Sequence, residues 1–318
     1  MKQEVIVCLD IGGTNCRMGL VDREGGLMQR QIVPTCTLAG KDFVPKLAGL
    51  IERYCQSCEA AYQIRGVSMG FPATIDRSRR CVLQTPNIPG IEDNLPICDV
   101  LEEALGLPVF LERDVNLLLA YDLQELHLEP DSTVVGIYFG TGIGNSIYTH
   151  GHWLRGHNGV AGELGHIPQL GADKLCGCGN RGCIEPLGGG RRLEKLCQTD
   201  FPGTDIKQIY VHHADTPQVR EQVEAMAVAA ATEVNILDPD YVVLGGGLLQ
   251  MVAFPLAYFE ECLRAHVRKP YPLENLRLFY ARPNQENGII GAGLYGWKCL
   301  DPSEMRLTYP ATRRSAPA

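Results

Sequence analysis

Short, unbroken apolar runs separated by glycine turns dominate two stretches of the chain. In the first, Val5-Ile-Val-Cys-Leu9 leads into Asp10-Ile-Gly-Gly-Thr-Asn15 and then Cys16-Arg-Met-Gly-Leu-Val21. Two apolar runs joined by a tight glycine turn predict a hairpin. The arrangement recurs much later: Val134-Val-Gly-Ile-Tyr-Phe139, then Gly140-Thr-Gly-Ile-Gly144, then Asn145-Ser-Ile-Tyr-Thr149. This is an internal repeat of strand, glycine loop and strand. The dinucleotide fingerprint and the P-loop both run from a strand into a helix, so the repeat disfavours those two folds.

Between the copies the spacing predicts a helix over residues 43–62, a buried strand over 66–70, a proline-rich loop over 85–96, and a helix over 97–105. A strand over 109–112 and a helix over 116–125 follow. The alternation implies an α/β sheet. Residues 216–237 are alanine-rich and predict a helix, and the apolar run 241–244 predicts a buried strand ending in Gly245, Gly246 and Gly247. A last helix begins near Gly288. Its Gly-Ile-Ile-Gly-Ala-Gly start weakly matches the dinucleotide fingerprint but has no room for a following βαβ unit, which favours helix packing.

The length of 318 residues accommodates two domains. We assign residues 1–116 to a small N-terminal α/β domain, completed by the C-terminal helix near 288–300, and residues 117–287 to a large α/β domain. Hydrophobic content of 45% with 21% charged residues is that of a globular chain. The net charge of −8 opposes broad nucleic-acid binding, and the pairs Arg79-Arg80 and Arg191-Arg192 do not reverse that. Thirteen scattered cysteines and the absence of a signal-peptide pattern point to a reducing cytoplasm. No apolar stretch reaches the ~18 residues of a membrane span. Cys55-x-x-Cys58 falls on the helix predicted over 43–62, outside any thioredoxin pattern, and is read as structural.

His166 precedes Cys176-Gly-Cys178-Gly-Asn-Arg-Gly-Cys183, and one histidine with three cysteines is a donor set that tetrahedral zinc prefers. Four protein ligands leave no open position, so such a metal is structural. Unrelated core thiols are the alternative; the interleaved Gly177, Gly179 and Gly182 favour metal knuckles, which need tight turns. A cage there carries Glu163 and Glu185 toward one another, suggesting a binding site.

The motifs Asp10-x-Gly-Gly-Thr14, Gly159-Val-Ala-Gly-Glu-Leu-Gly-His166 and Cys-x-Cys-x4-Cys, in this order, resemble the ROK family of sugar kinases over nearly the whole chain. The resemblance implies an actin-like ATPase (ribonuclease H-like) fold, with two α/β domains around a nucleotide and sugar cleft. More narrowly, Thr85-Pro-Asn-Ile-Pro89, Arg113-Asp-Val-Asn116 and residues 235–247 look like the bacterial D-allose kinases. The implied reaction is ATP-dependent phosphorylation of a hexose at its 6-hydroxyl.

On this resemblance the two loops hold the nucleotide phosphates through Gly12, Gly13, Thr14, Gly140, Thr141, Gly142 and Gly144, because bare backbone N–H groups can approach phosphate oxygens. Neither loop carries a Walker lysine, so charge neutralisation falls to Mg²⁺, held by Asp10 through water. Gly245, Gly246 and Gly247 resemble the adenosine rest. Asp114 corresponds to the catalytic base, with a helix N-cap as its alternative role. Asn87, Glu163, His166 and Glu185 are the implied sugar ligands, His166 using its second ring nitrogen for zinc.

Most ROK kinases have asparagine before the catalytic aspartate, whereas this chain has Arg113 and shares the Arg-Asp pair with the allose kinases. Arginine is longer and only donates, which changes the pocket and disfavours glucose. Arg113 either contacts a ring hydroxyl, repositions Asn87, or points away to pair with a surface carboxylate such as Glu112 or a neighbour. Glucokinase, fructokinase and N-acetylhexosamine kinase are the neighbouring activities. A ROK repressor would carry a winged-helix domain ahead of Asp10, where nine residues stand, and a catalytically inactive sugar sensor is the third class. The family precedent is a homodimer or tetramer.

Overall fold

The computed structural model describes residues 2–85, 88 and 90–301. Two five-stranded sheets with the same topology form its frame. The first has the order β3 (Leu27–Pro34), β2 (Asn15–Val21), β1 (Gln3–Ile11), β4 (Tyr62–Phe71), β7 (Val109–Arg113). Strands β5 (Thr74–Ile75) and β6 (Val82–Gln84) form a small separate hairpin. The second sheet runs β10 (His152–Trp153), β9 (Ile143–Thr149), β8 (Val134–Phe139), β11 (Tyr241–Gly245), β12 (Leu278–Tyr280). In each, an antiparallel hairpin, β1/β2 or β8/β9, continues into parallel strands. The duplicated strand–glycine–strand pattern is therefore a duplicated half-sheet.

The predicted helix over 43–62 ends early. Helix α1 spans Phe43–Cys58 and buries Phe43, Leu47, Leu50, Ile51, Tyr54 and Cys58, a 3.6-residue stripe. Tyr62 lies one helical step beyond Cys58 and so extends the stripe on paper. In the fold it pairs with Gln3 as the first residue of β4, where Tyr62, Gln63 and Ile64 extend the ladder with β1 before a bulge at Arg65. Helix α2 (Ile97–Leu105) has the predicted bounds, closed by Gly106 in the left-handed conformation.

Helix α3 (Asp114–Glu125) starts two residues earlier than predicted, so Arg113 is its N-cap position and Asp114 its first helical residue. After the cysteine segment come α4 (Glu185–Gly188), α5 (Gly190–Thr199) and α6 (Ile209–His213). The long α7 (Pro217–Leu237) has Thr216 at its N-cap and Asp238 in the left-handed conformation at its end, and α8 (Leu256–His266) packs against it. These helices and the second sheet enclose one core around Ile137, Phe139, Val223 and Phe259.

Helix α9 (Asn287–Leu300) packs on β1 and β4 of the first sheet and against α3. Its glycines serve that packing rather than a dinucleotide: a Cβ at Gly291 would lie 1.9 Å from the Leu117 carbonyl oxygen. Helices α3 and α9 thus lie side by side, and α3 also touches β8 and β9 of the second sheet. Among the described residues no helix is long and apolar enough to cross a membrane.

Candidate active site

The two glycine loops, Asp114 and the segment carrying Glu163 and His166 meet at one cleft of about 600 Å³. Gly12, Gly13 and Thr14 come from the turn between β1 and β2. Gly140, Thr141, Gly142 and Gly144 come from the turn between β8 and β9, and Gly246 from the end of β11. Both loops join antiparallel strands, so the turn residues present backbone groups to the cavity. Gly245 and Gly247 stand beside Gly246 but do not line the cleft, and Asn87 lies outside the described residues.

Asp114 enters the cleft because β7 ends at Arg113 and α3 begins there. Its Oδ1 accepts from the Val115 N–H at 2.9 Å, a bond made from the first helical position rather than from an N-cap. Burial, reinforced by the negative charge of Asp10, pushes its pKa up to about 6, against the opposing Val115 N–H and Arg113. A carboxylate tuned to that range is suited to accept a proton near neutrality. Asp10 does not line the cavity. It lies beside Gly288 at the start of α9, 3.9 Å from Arg17, with its pKa raised by burial and partly restored by that arginine.

The Arg113 guanidinium does not pair with Glu112. Its guanidinium donates to Glu163 Oε1 at 2.9 Å and to the Ala161 carbonyl at 2.8 Å, tying β7 to the 159–166 segment inside the cleft. Glu112 is no surface carboxylate: it is wholly buried, 3.1 Å from Arg79 Nε and 3.7 Å from Arg155 Nη2. Its Oε1 also accepts from the Arg113 N–H and from Asn116 Nδ2, both at 2.9 Å. Arg79, half of the Arg79-Arg80 pair, is itself buried and donates to the Gly159 carbonyl at 2.9 Å. Two guanidiniums thus brace the same segment.

Glu163 Oε2 stands 3.6 Å from His166 Nε2, while His166 Nδ1 faces Cys176 Sγ at 3.4 Å. Cys178 and Cys183 sulfurs are 3.7 Å apart, and the four donor atoms all lie within 4.8 Å of one another. Tetrahedral zinc with Zn–S of about 2.3 Å and Zn–N of about 2.0–2.1 Å places two sulfurs about 3.8 Å apart and nitrogen about 3.6 Å from sulfur. The donor set fits that ion in both chemistry and spacing. Gly179 and Gly182 have the positive φ that the knuckle requires, whereas Gly177 does not.

Glu185, the first residue of α4, lines the cleft beside the second loop, and its Oε2 accepts from the Ile143 N–H at 3.0 Å. It therefore supports the Gly140–Gly144 turn as well as facing the site. Thr74, Leu118 and Tyr138 also line the cavity and carry no motif that spacing could have revealed. Glu112 had a signal: a charge closing the otherwise apolar run Val109-Phe-Leu111.

Residues 6–295 match the ROK family. The chain belongs to the ROK family. It is 31% identical over 311 residues to an N-acetyl-D-glucosamine kinase of Vibrio cholerae, covering 91% of this chain and 98% of that one. A ROK hexokinase of Thermus thermophilus superposes with a TM-score of 0.76 at 32% identity, covering 94% of this chain and 99% of that one. A ROK glucokinase of Streptomyces griseus, solved with glucose and AMPPNP, gives 0.73 at 25% identity, covering 91% and 98%. The mixed two-sheet architecture is the actin-like ATPase fold expected from the motifs.

Proposed function

We propose that this ROK protein transfers the γ-phosphoryl group of ATP to the 6-hydroxyl of a hexose, with D-allose as the preferred sugar. The observation that carries the reaction is Asp114, a carboxylate with a raised pKa in a cleft that also exposes both glycine loops and Glu163, His166 and Glu185. The loops' backbone N–H groups bind the phosphates. The sugar oxygen attacks the γ-phosphorus, its proton passes to Asp114, and the bond to the β–γ bridging oxygen breaks to release ADP. Bound Mg²⁺ would neutralise phosphate charge, with Asp10 as its water-mediated holder. His166, Cys176, Cys178 and Cys183 would hold a structural zinc, orienting the second His166 nitrogen toward Glu163 and the sugar.

We also propose two lobes, residues 1–116 completed by the helix near 288–300 and residues 117–287, that exclude water by closing on the cleft. We further propose a homodimer or tetramer in the cytoplasm. The sugar assignment rests on Arg113, which holds Glu163 where a shorter asparagine would leave it free. Glucose or an N-acetylhexosamine is the second reading, favoured by the kinases to which the chain is similar. A coupled assay with MgATP and D-allose, D-glucose, D-mannose, D-fructose and the N-acetylated hexosamines tests both. Highest kcat/KM on allose is expected. Highest turnover on another sugar overturns the allose assignment, and none on any hexose overturns the reaction.

A further inference from the structure

A second cavity, of about 180 Å³, shares no lining residue with the cleft. Its walls come from α3 (Ala120, Leu123), from Tyr148 on β9 and Trp153 on β10, and from Trp297 and Lys298 on α9. Tyr148, Trp153, Tyr295 and Trp297 supply aromatic rings to them. The Trp153 ring meets Tyr148 edge to face at 5.3 Å between centroids. Arg23 lies 4.4 Å over the Trp297 ring and also borders the cavity.

Two cations, Lys298 and Arg23, are the charged groups that line this apolar setting. The Lys298 ammonium stands 4.9 Å from the Trp153 ring centre and 5.6 Å from that of Tyr148. It gives one N–H to the Gly151 carbonyl at 2.9 Å, and an ammonium has three. The Trp153 indole N–H is buried with no acceptor among the described residues. No carboxylate lines the cavity, and burial lowers the Lys298 pKa, the mark of a cation removed from water without a counter-charge. Cavities of about 150 Å³ accept a benzene ring.

We propose that this cavity binds a small monocyclic aromatic carboxylate, its ring among Tyr148, Trp153 and Trp297 and its carboxylate on the Lys298 ammonium. Offset and edge-on ring contacts suit the walls, and a charge-assisted pair with a half-buried ammonium supplies orientation. The site is linked to the cleft. Helix α3 begins at Asp114 and α9 begins beside Asp10, while β9 and β10 belong to the other sheet. A ligand touching all of them binds one relative arrangement of the two sheets better than another.

Trp153 and Trp297 are the chain's two tryptophans, so indole emission reports on this cavity. Titrating benzoate into the full chain should change the emission saturably, with benzamide, isosteric and uncharged, requiring at least about ten-fold higher concentration. Lys298→Met should raise the half-saturating benzoate concentration by a similar factor. Ala120→Leu, which fills the cavity from α3 without touching the ammonium, should abolish the response. None of these arms needs kinase activity. Absence of saturation, equal response to benzamide, or unchanged binding in the folded variants overturns the site. Half-saturation should also shift with MgAMPPNP and hexose present; an unchanged value overturns the link to the cleft.

Discussion

Replacing Asp114 by Asn should abolish most turnover and at the same time stabilise the fold at alkaline pH. The folded carboxyl has a pKa of about 6 against an ordinary value of 3.8, because it is buried near the charge of Asp10. Between pH 3.8 and about 6 the unfolded chain ionises Asp114 while the folded chain holds its proton, and above pH 6 the native state bears the full cost of ionising it. At about 1.4 kcal/mol per pH unit, the roughly two-unit difference costs the native state about 3 kcal/mol at pH 8. That cost falls as pH drops through 6 and vanishes below the unfolded pKa, where both states are protonated. Asparagine keeps the shape and cannot ionise, so Asp114→Asn should gain about 2–3 kcal/mol at pH 8 and close to nothing at pH 4. Urea midpoints of both proteins at pH 8, 6 and 4, in buffer free of Mg²⁺ and chelator, measure this. Turnover in a coupled assay should fall by roughly 10²-fold or more, the loss of a proton acceptor. A variant less stable than the parent at pH 8, or a stability gap that ignores pH, refutes the electrostatic argument; more than about half of wild-type kcat refutes the role as base.

The purified protein should carry about one zinc per chain by elemental analysis, and Cys178→Ser should lose it along with sugar affinity. A metal-free preparation with full sugar affinity would break that connection. Arg113→Asn should lower the allose-to-glucose ratio of kcat/KM by about 1–3 kcal/mol of discrimination, and its effect should be non-additive with Glu163→Gln, since the two side chains act as a pair. Arg79→Met should destabilise the fold by about 3–5 kcal/mol in a urea titration, because it strands the buried Glu112 charge, and Glu112→Gln in the same chain should recover part of it. Additive losses would place Arg79 and Glu112 in separate roles.

Pattern alone carried the repeated hairpins, the bounds of α2, the start of α9, and the His-Cys donor set, because each depends on neighbours in sequence. Strand alternation, glycine turns and ligand spacing are local, and local geometry is written in local residue order. The end of α1 was not legible, since Tyr62 suits helix and strand equally and only its partner Gln3 decides. The same holds for charges. Arg79 stands in the sequence only as half of an arginine pair until the fold buries it on Glu112 and Gly159, and nothing local shows that Arg113 meets Glu163, fifty residues away. Whether a guanidinium is solvated or paired depends on burial and on a partner distant in the chain, and those are set when the two sheets and the 159–166 segment close around the same cleft.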